Sequence, residues 1–235
     1  MAFARAVNLR AQDVPGFTVT PDTGRHIRPH NRAFEDSSAY GRCFRIAKPA
    51  HPLVKLASAK LGSQTRFSRS KGPQFGRISS VVEVAGSLAT TRKELRQGKK
   101  ALADPAARRC LSRAFDTLGS QNQAIHLRGA TVRVTVGNLR MAPLSVAAAT
   151  RGTDGGFGFS MTLAVTYLVE AHGRAFTFPT SLGVDVIGFA VGRATVTLTT
   201  MALGSQFPPE LEATSFAALV SRASAAARTY PDVLR

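Results

Sequence analysis

The most regular feature of the chain is an alternation of apolar and small polar residues between positions 157 and 169. The apolar residues at every second position are Phe157, Phe159, Met161, Leu163, Val165, Tyr167 and Val169. Glycine, serine, threonine and alanine fill most of the positions between them. A period of two is that of a β-strand with one apolar face. We therefore expect a strand whose odd-numbered row is mostly buried against a hydrophobic layer.

Other strands are predicted on both sides of this one. The segments RISSVVEVA (77–85) and ATVRVTV (130–136) have strand-like patterns, and FTVT (17–20) is a short strand near the start. The turn signals TDGG (153–156) and HGR (172–174) bracket the long strand, and AFTFPTSLGVDVIGF (175–189) returns the chain. The polar stretch SQTRFSRSKGPQFG (63–76) is expected to be a loop.

The glycine-rich segment GVDVIGFAVGRATVTLT (183–199) has two possible interpretations, a phosphate-binding loop or a hairpin. A P-loop places lysine and serine or threonine directly after its second glycine, but Phe189 and Ala190 occupy those positions here. After Gly192 the residues alternate with period two, which indicates a strand instead of a helix. We predict a hairpin with Gly192 and Arg193 in its turn.

Helices are predicted in the middle of the chain and at its end. Leucines recur every seven residues from Leu88 to Leu102, and a second helix follows with Asp104 as N-cap and Pro105 at its first position. A third helix begins near Pro209, and HPLVKLASAKL (51–61) can form a short one. Strands joined by short turns, with helices grouped apart, favour the α+β class. We expect an antiparallel meander with helices packed on it, in one domain over residues 1–235.

The charge of the chain favours anionic partners. It contains 31 Lys and Arg against 14 Asp and Glu, a formal net charge of +17. Nucleic acid, lipid headgroups and acidic wall polymers all suit such a field, although an arginine-rich composition would produce the same number. TRKELRQGKK (91–100) holds a cluster that we call the basic ridge. Its members are Arg92, Arg96, Lys99 and Lys100.

The basic ridge has two interpretations, an anion-binding surface or a solvated helix face. At about 100° per residue its cations form one arc beside the leucines, together with Lys93. A second basic cluster, Arg25, Arg28 and Arg32, lies on a predicted loop. Aromatic residues do not interleave with these cations, and no helix-turn-helix or RNA-binding signature accompanies them, which disfavours nucleic acid.

Residues for catalysis or metal binding are sparse. His26, His30, Cys43 and His51 are the candidate metal ligands, but Pro29 and the basic surroundings disfavour a cation site, so we predict no metal and no cofactor. The motifs G-x-S-x-G and H-E-x-x-H are absent from the sequence. Asp185, a carboxylate within an apolar strand, could line a cleft, although a solvent-facing position is the preferred interpretation. An enzyme is therefore disfavoured, and a hydrolase with an unrecognised site is the alternative.

Several segments together resemble a known bacterial group. They are NLRAQDVPGF (8–17), a cysteine in the first third of the chain, a second in a central helix, the run VTYLVEAHGRAFTFPTSLGVDVIGFAVGRATVTLTT (165–200) and the closing helix. This pattern resembles the PsbP-like (Mog-type) α/β/α sandwich of secreted LpqN-like lipoproteins and PknH-type extracytoplasmic sensor domains. The resemblance implies a non-enzymatic binding or sensory module and supplies no catalytic residues.

The resemblance also implies export, which the N-terminus does not show. MAFARAVNL (1–9) lacks a long apolar stretch and a cleavage-type ending. No stretch reaches the roughly 20 apolar residues that cross a bilayer. We expect an extracytoplasmic protein, secreted or lipid-anchored, whose signal has been removed, and a cytoplasmic protein if the cysteines are free. The expected partner is an anionic envelope component, a lipid headgroup or wall polymer; nucleic acid is the alternative.

The chain has two cysteines, Cys43 and Cys110, which form either one disulfide or two unrelated thiols. We predict the disulfide, because Cys110 lies on the inward face of its predicted helix. Its loop of roughly 70 residues would contribute about 4 kcal/mol in the chain-entropy model. Thiol titration of the denatured, unreduced protein should detect no free thiol, with the reduced protein as control. Two titratable thiols before reduction would contradict the bridge.

Overall fold

The computed structural model describes residues 2–20, 61–69, 75–119, 123–127 and 129–234. Within these ranges eight strands form one sheet, and every neighbouring pair is antiparallel. The strands are β1 (Thr18–Thr20), β2 (Leu61–Arg69), β3 (Phe75–Val84), β4 (Gln123–Leu127), β5 (Ala130–Pro143), β6 (Gly156–Ala171), β7 (Arg174–Val191) and β8 (Ala194–Leu203). The helices are α1 (Ala2–Val7), α2 (Leu88–Ala103), α3 (Pro105–Gly119) and α4 (Pro209–Thr229), with short 3-10 helices at Ala11–Asp13 and Pro231–Leu234.

The order of the strands across the sheet is β1-β2-β3-β8-β7-β6-β5-β4. Strands β4 to β8 form a meander, and β3 joins it along β8. Helices α1 and α4 pack on one face, while α2 and α3 pack on the other, so the described part has three layers. The predicted α+β class, an antiparallel sheet with helices packed on it, is confirmed. None of the described helices combines the length and hydropathy needed to cross a membrane.

The main core lies between the sheet and the helices α1 and α4. Every second residue of β8 is buried there, and Phe189 of β7 meets Phe216 of α4 edge to face, with ring centroids 5.6 Å apart. Burying a side chain of this size contributes about 1.5–3 kcal/mol. Phe216 and the other apolar residues on its inward face therefore hold α4 on the sheet.

The odd-numbered row of β6 faces α2 and α3, but it is less buried than the alternation predicts. Leu163 and Val165 are buried, at 5% and 3% exposure, while the other five members are half-buried. The row is about 40 Å long at 3.3 Å per residue, whereas the 15 residues of α3 extend only about 22 Å. Because β6 extends beyond the helices that pack on it, only the residues at the centre of the strand are fully buried.

The prediction of a loop over residues 63–76 is wrong for residues 63–69 and 75–76, while residues 70–74 lie outside the described ranges. Strand β2 runs from Leu61 to Arg69, between β1 and β3, and β3 already begins at Phe75. Phe67 is fully buried, but its neighbours in β2 are polar, so the strand shows little hydrophobic alternation. Backbone pairing on both sides defines β2, and a pattern of side chains cannot reveal it. The predicted short helix over 51–61 lies outside the described residues, apart from Leu61.

The predicted punctuation of the helices is confirmed. The carboxylate of Asp104 accepts a hydrogen bond of 2.8 Å from the Ala106 N–H at the start of α3, and Pro209 occupies the first turn of α4. Helix α2 has a cap of its own, because the Ser87 hydroxyl accepts a hydrogen bond from the Thr90 N–H. Such caps typically contribute about 1 kcal/mol each.

The chain turns between β7 and β8 at Gly192 and Arg193, as predicted. Gly192 has φ of +56°, the sign that a type II′ hairpin turn requires at its first central residue. It is also buried, and a Cβ there would overlap the carbonyl oxygen of Val233 in the final 3-10 helix. The turn after β6 differs, since a Cβ on Gly173 (φ +73°) would meet nothing within 4 Å.

These two hairpin glycines provide a matched pair of variants. We expect Gly173→Ala to cost about 1–2 kcal/mol, the ordinary price of a left-handed conformation for alanine. Gly192→Ala should cost about 3 kcal/mol or more, because the overlap of the new Cβ with Val233 adds to the cost of the left-handed conformation. The measurement is the free energy of unfolding in urea. Equal losses in the two variants would contradict the packing of the C-terminal segment on this turn.

Candidate anion-binding site

Helix α2 carries the basic ridge, and its inward residues determine which side faces solvent. Thr91 is buried and donates a hydrogen bond of 3.0 Å to the carbonyl of Arg193 in the β7–β8 turn. One turn further on, Leu95 lies 3.5 Å from the position that a Cβ on Gly155 would take. Since these two residues hold α2 against the sheet, the opposite arc of the helix is left in water.

All four members of the basic ridge are exposed. In the described part of the chain none of them forms an ion pair; the ion pairs there join Arg133 to Glu170 and Arg222 to Asp13. The acidic residue of α2, Glu94, is half-buried and close enough to Glu83 of β3 to affect its titration. The cations therefore lie together on the exposed arc of α2, with Lys99 at the edge of that arc nearest Gly155, and the carboxylate of Glu94 lies on the side toward the sheet.

A cavity of about 560 Å³ opens beside the C-terminal half of α2, where β5 ends. Lys99 and Ala103 line it from α2, and residues on both sides of the connection from β5 to β6 form the remaining walls. These residues are Pro143, Leu144, Ser145, Val146, Ala147, Thr150, Arg151, Gly152, Thr153, Gly155, Gly156, Phe157 and Gly158. The cavity thus combines apolar walls with two cationic side chains, Lys99 and Arg151.

Side-chain hydrogen bonds give the β5–β6 connection a defined shape. The Thr150 hydroxyl is part-buried and donates to the Val146 carbonyl at 3.0 Å, and the Thr153 hydroxyl donates to the Thr150 carbonyl at 2.7 Å. Asp154 then binds the β7–β8 turn, accepting a hydrogen bond of 2.6 Å from the Gly192 N–H. The cavity wall is consequently tied to the same turn that Thr91 of α2 contacts.

Glycine allows the connection to lie directly on β6. A Cβ on Gly156 would come within 2.6 Å of the Thr150 side chain, and one on Gly158 within 3.0 Å of Leu144. The Lys99 ammonium lies 3.5 Å from the Cβ position of Gly155, so this cation stands over the turn. The site therefore depends on Gly155, Gly156 and Gly158, which the sequence placed in a turn (TDGG) and in the strand after it without indicating a cavity.

Two carboxylates lie between α2 and the sheet. Burial, together with a smaller contribution from the nearby charge of Glu94, raises the pKa of Glu83 to about 7. Burial also raises the pKa of Glu94. Near neutral pH Glu83 therefore carries less negative charge than an ordinary glutamate. Glu83 therefore offsets less of the positive charge of the basic ridge than a fully ionised glutamate would.

The preferred interpretation of Asp185, a position that faces solvent, is wrong. Asp185 is half-buried on the side of the sheet that α4 covers, opposite Thr200 of β8. The Thr200 hydroxyl donates a hydrogen bond of 2.5 Å to Glu212 of α4. Burial raises the pKa of Glu212, the Thr200 hydrogen bond opposes the rise, and the charge of Asp185 adds to it. The sequence could not anticipate this pair because its members are 27 positions apart.

Other sequence-predicted residues remain untested. Cys110 is half-buried on α3, packed against the cluster of Leu139 and Leu163, while Cys43 lies outside the described residues, so the disulfide stays a prediction. The candidate ligands His26, His30 and His51 and the second basic cluster also lie outside them. Within the described ranges, no three His, Cys, Asp or Glu side chains are grouped to hold a metal ion.

Comparisons with known proteins give one structural similarity. No family model and no curated protein matches the chain. Among solved structures, the extracellular domain of PknH from Mycobacterium tuberculosis is similar, with 12% identity and a TM-score of 0.26. The match covers 70% of this chain and 64% of that one, so it spans less than two thirds of the PknH domain. A similarity this low assigns no ligand, and membership of the PsbP-like family stays a prediction.

The buried carboxylate beneath α2 predicts an unusual pH dependence. Because its folded pKa of about 7 exceeds the unfolded value of 4.5, Glu83 imposes no penalty below about pH 4.5. The penalty grows as pH rises to about 7 and is constant above it. Glu83→Gln should therefore stabilise the protein at pH 8 by up to about 3 kcal/mol, with little effect at pH 4.

Urea unfolding of the wild type and the variant at both pH values measures this effect. Glu210→Gln, which removes an exposed carboxylate from α4, is the matched control and should show no comparable gain. A Glu83→Gln variant that is less stable than the wild type at pH 8 would contradict the buried, partly protonated state.

Proposed function

We propose that this protein is a non-enzymatic, extracytoplasmic binding or sensory module whose basic ridge contacts an anionic lipid surface of the cell envelope. The observation that carries the proposal is the arrangement of α2. Four exposed cations lie on one arc of this helix without ion-pair partners in the described ranges. Lys99 in addition reaches the adjacent cavity, so the charged surface and the concave site share a residue.

The electrostatic contribution of such a ridge is sufficient for reversible binding. A lysine or arginine near an anionic membrane contributes about 1 kcal/mol, so four contribute roughly 4 kcal/mol at low salt. These exposed charges act over about 10 Å or less at ordinary ionic strength. Binding should therefore weaken steeply as salt rises, and the ridge alone would give a transient contact.

Two exposed phenylalanines favour a lipid surface over a wall polymer. Phe176 and Phe178 of β7 are 48% and 54% exposed, and their stacked rings lie 6.5 Å apart. They occupy the face of the sheet on which α2 and α3 pack, at the end of β7 away from the Gly192 turn, so a bilayer that met them would touch the protein at a second place besides the ridge. Apolar rings gain from contact with a bilayer interface, whereas a hydrated acidic polymer offers them little.

The extracytoplasmic location rests on the predicted Cys43–Cys110 bridge and on the resemblance of the sequence to exported proteins. Disulfides persist in oxidising compartments and are rare in the cytosol. Free thiols in the native protein would therefore favour a cytoplasmic location. That result would leave the anion-binding surface in place but change the membrane that it could meet.

Co-sedimentation with vesicles tests the proposed surface. We expect the wild type to bind vesicles containing phosphatidylglycerol and to bind pure phosphatidylcholine weakly. Changing Arg92, Arg96, Lys99 and Lys100 to Gln should reduce binding to the anionic vesicles at least tenfold. The control changes Arg5, Arg66, Arg69 and Arg228 to Gln, which removes the same charge from exposed positions on α1, β2 and α4.

Three outcomes would overturn the proposal. The first is equal loss in both quadruple variants, which would mean that net charge and not the ridge drives binding. The second is binding to isolated wall polymer but not to vesicles. The third is salt-dependent binding to duplex DNA that exceeds binding to vesicles, which would favour the nucleic-acid alternative.

A further inference from the structure

We propose that the cavity beside α2 binds a single-chain amphiphilic anion, an alkyl or acyl chain with a phosphate or carboxylate headgroup. The inference rests on the proposed function for the lipid character of the partner. It adds a defined pocket for one molecule to a surface that would otherwise meet only headgroups. The chain would lie along the apolar walls, and the headgroup would lie at the cationic mouth.

The walls of the cavity suit a hydrocarbon chain. Pro143 and Phe157 line it from β5 and β6, Leu144 and Val146 line it from the β5–β6 connection, and Ala103 lines it from α2. Its volume of about 560 Å³ lies within the range of roughly 300–1,000 Å³ that small-molecule sites occupy. Each methylene group transferred from water into such surroundings strengthens binding about fourfold.

The mouth of the cavity suits an anion. Lys99 and Arg151 reach it from different elements, and neither forms an ion pair within the described ranges. The hydroxyls of Ser145 and Thr153 lie among the lining residues as further polar groups. Because no carboxylate is among the lining residues, the local charge is positive and complements a phosphate or carboxylate.

Both halves of the ligand are needed to explain the site. Inorganic phosphate could meet Lys99 and Arg151 but would leave the apolar walls in contact with water. A neutral amphiphile would use the walls but gain nothing from the two cations. An amphiphilic anion satisfies both, so its affinity should exceed that of either partial ligand.

Isothermal titration calorimetry with alkyl phosphates, each kept below its micelle concentration, tests this inference. We expect decyl phosphate to bind with 1:1 stoichiometry, and the affinity should rise about fifteenfold for each two methylenes from octyl to dodecyl phosphate. Inorganic phosphate and decyl maltoside should each bind at least tenfold more weakly than decyl phosphate. Equal affinity for decyl maltoside, equal affinity for inorganic phosphate, or no binding of any probe would overturn the proposal.

Matched variants on α2 locate the binding. Lys99→Gln and Arg151→Gln should each weaken decyl phosphate binding about tenfold, while Lys93→Gln, an exposed lysine outside the lining, should not. Ala103→Trp should fill the cavity and abolish chain-length dependence, whereas Ala89→Trp, an exposed site away from the lining, should leave it intact. Loss of affinity in the control variants equal to that in their partners would contradict the assigned site.

The experiments test the cavity proposal and the membrane-contact proposal separately. The triple variant of Arg92, Arg96 and Lys100 to Gln keeps both cations of the cavity, so it should lose vesicle binding and retain decyl phosphate. Vesicle binding by the wild type without any binding of alkyl phosphates would overturn the cavity proposal alone. Decyl phosphate binding without vesicle binding would overturn the proposed membrane contact and leave the pocket.

Discussion

The β7–β8 turn at Gly192 and Arg193 is the point to which the functional side of the molecule is fixed. Its backbone makes hydrogen bonds to four separate segments, with Asp154 and Val233 accepting from the two N–H groups and Ala85 and Thr91 donating to the Arg193 carbonyl. These partners belong to the cavity wall, the C-terminal 3-10 helix, the end of β3 and helix α2. The close approach of Val233 leaves room for glycine alone, so one small residue helps to position α2 and the β5–β6 connection, which both line the candidate site.

The sequence shows that this turn exists but not what it holds. Glycine followed by a period-two run is a local signal, and local signals also predicted the caps of α3 and α4 and the meander of β5 to β8. Asp154 and Thr91 are far from Gly192 along the chain, and their hydrogen bonds depend on the tertiary arrangement of loops. The basic ridge could be predicted because helical periodicity places its members together. Arg151 could not, because it enters the site from an irregular connection that has no period.

The difference in length between strands and helices explains the remaining departures from the sequence pattern. Strand β7 has 18 residues and β6 has 16. A strand rises about 3.3 Å per residue and a helix only about 1.5 Å, so each strand extends far beyond α2 and α3. Apolar residues therefore continue beyond the region that α2 and α3 cover, and Phe176 and Phe178 lie in that uncovered part. Alternation indicates which face of a strand is apolar, but only the layer on top decides how much of that face is buried.

The same geometry separates the charges of α2. A helix that rests on a sheet has an inward side, and here that side carries Thr91, Leu95 and the carboxylate of Glu94, above the buried Glu83. Burial favours the neutral form of Glu83, so near neutral pH this acid opposes the cations on the outer side less than an exposed glutamate would. An anion that approaches the basic ridge therefore meets a positive field. Within the described ranges no ion pair neutralises the cations of the ridge, and Glu83 beneath the helix is only partly ionised near neutral pH. The positive potential of this surface is therefore a consequence of how α2 packs, and not of the +17 composition alone.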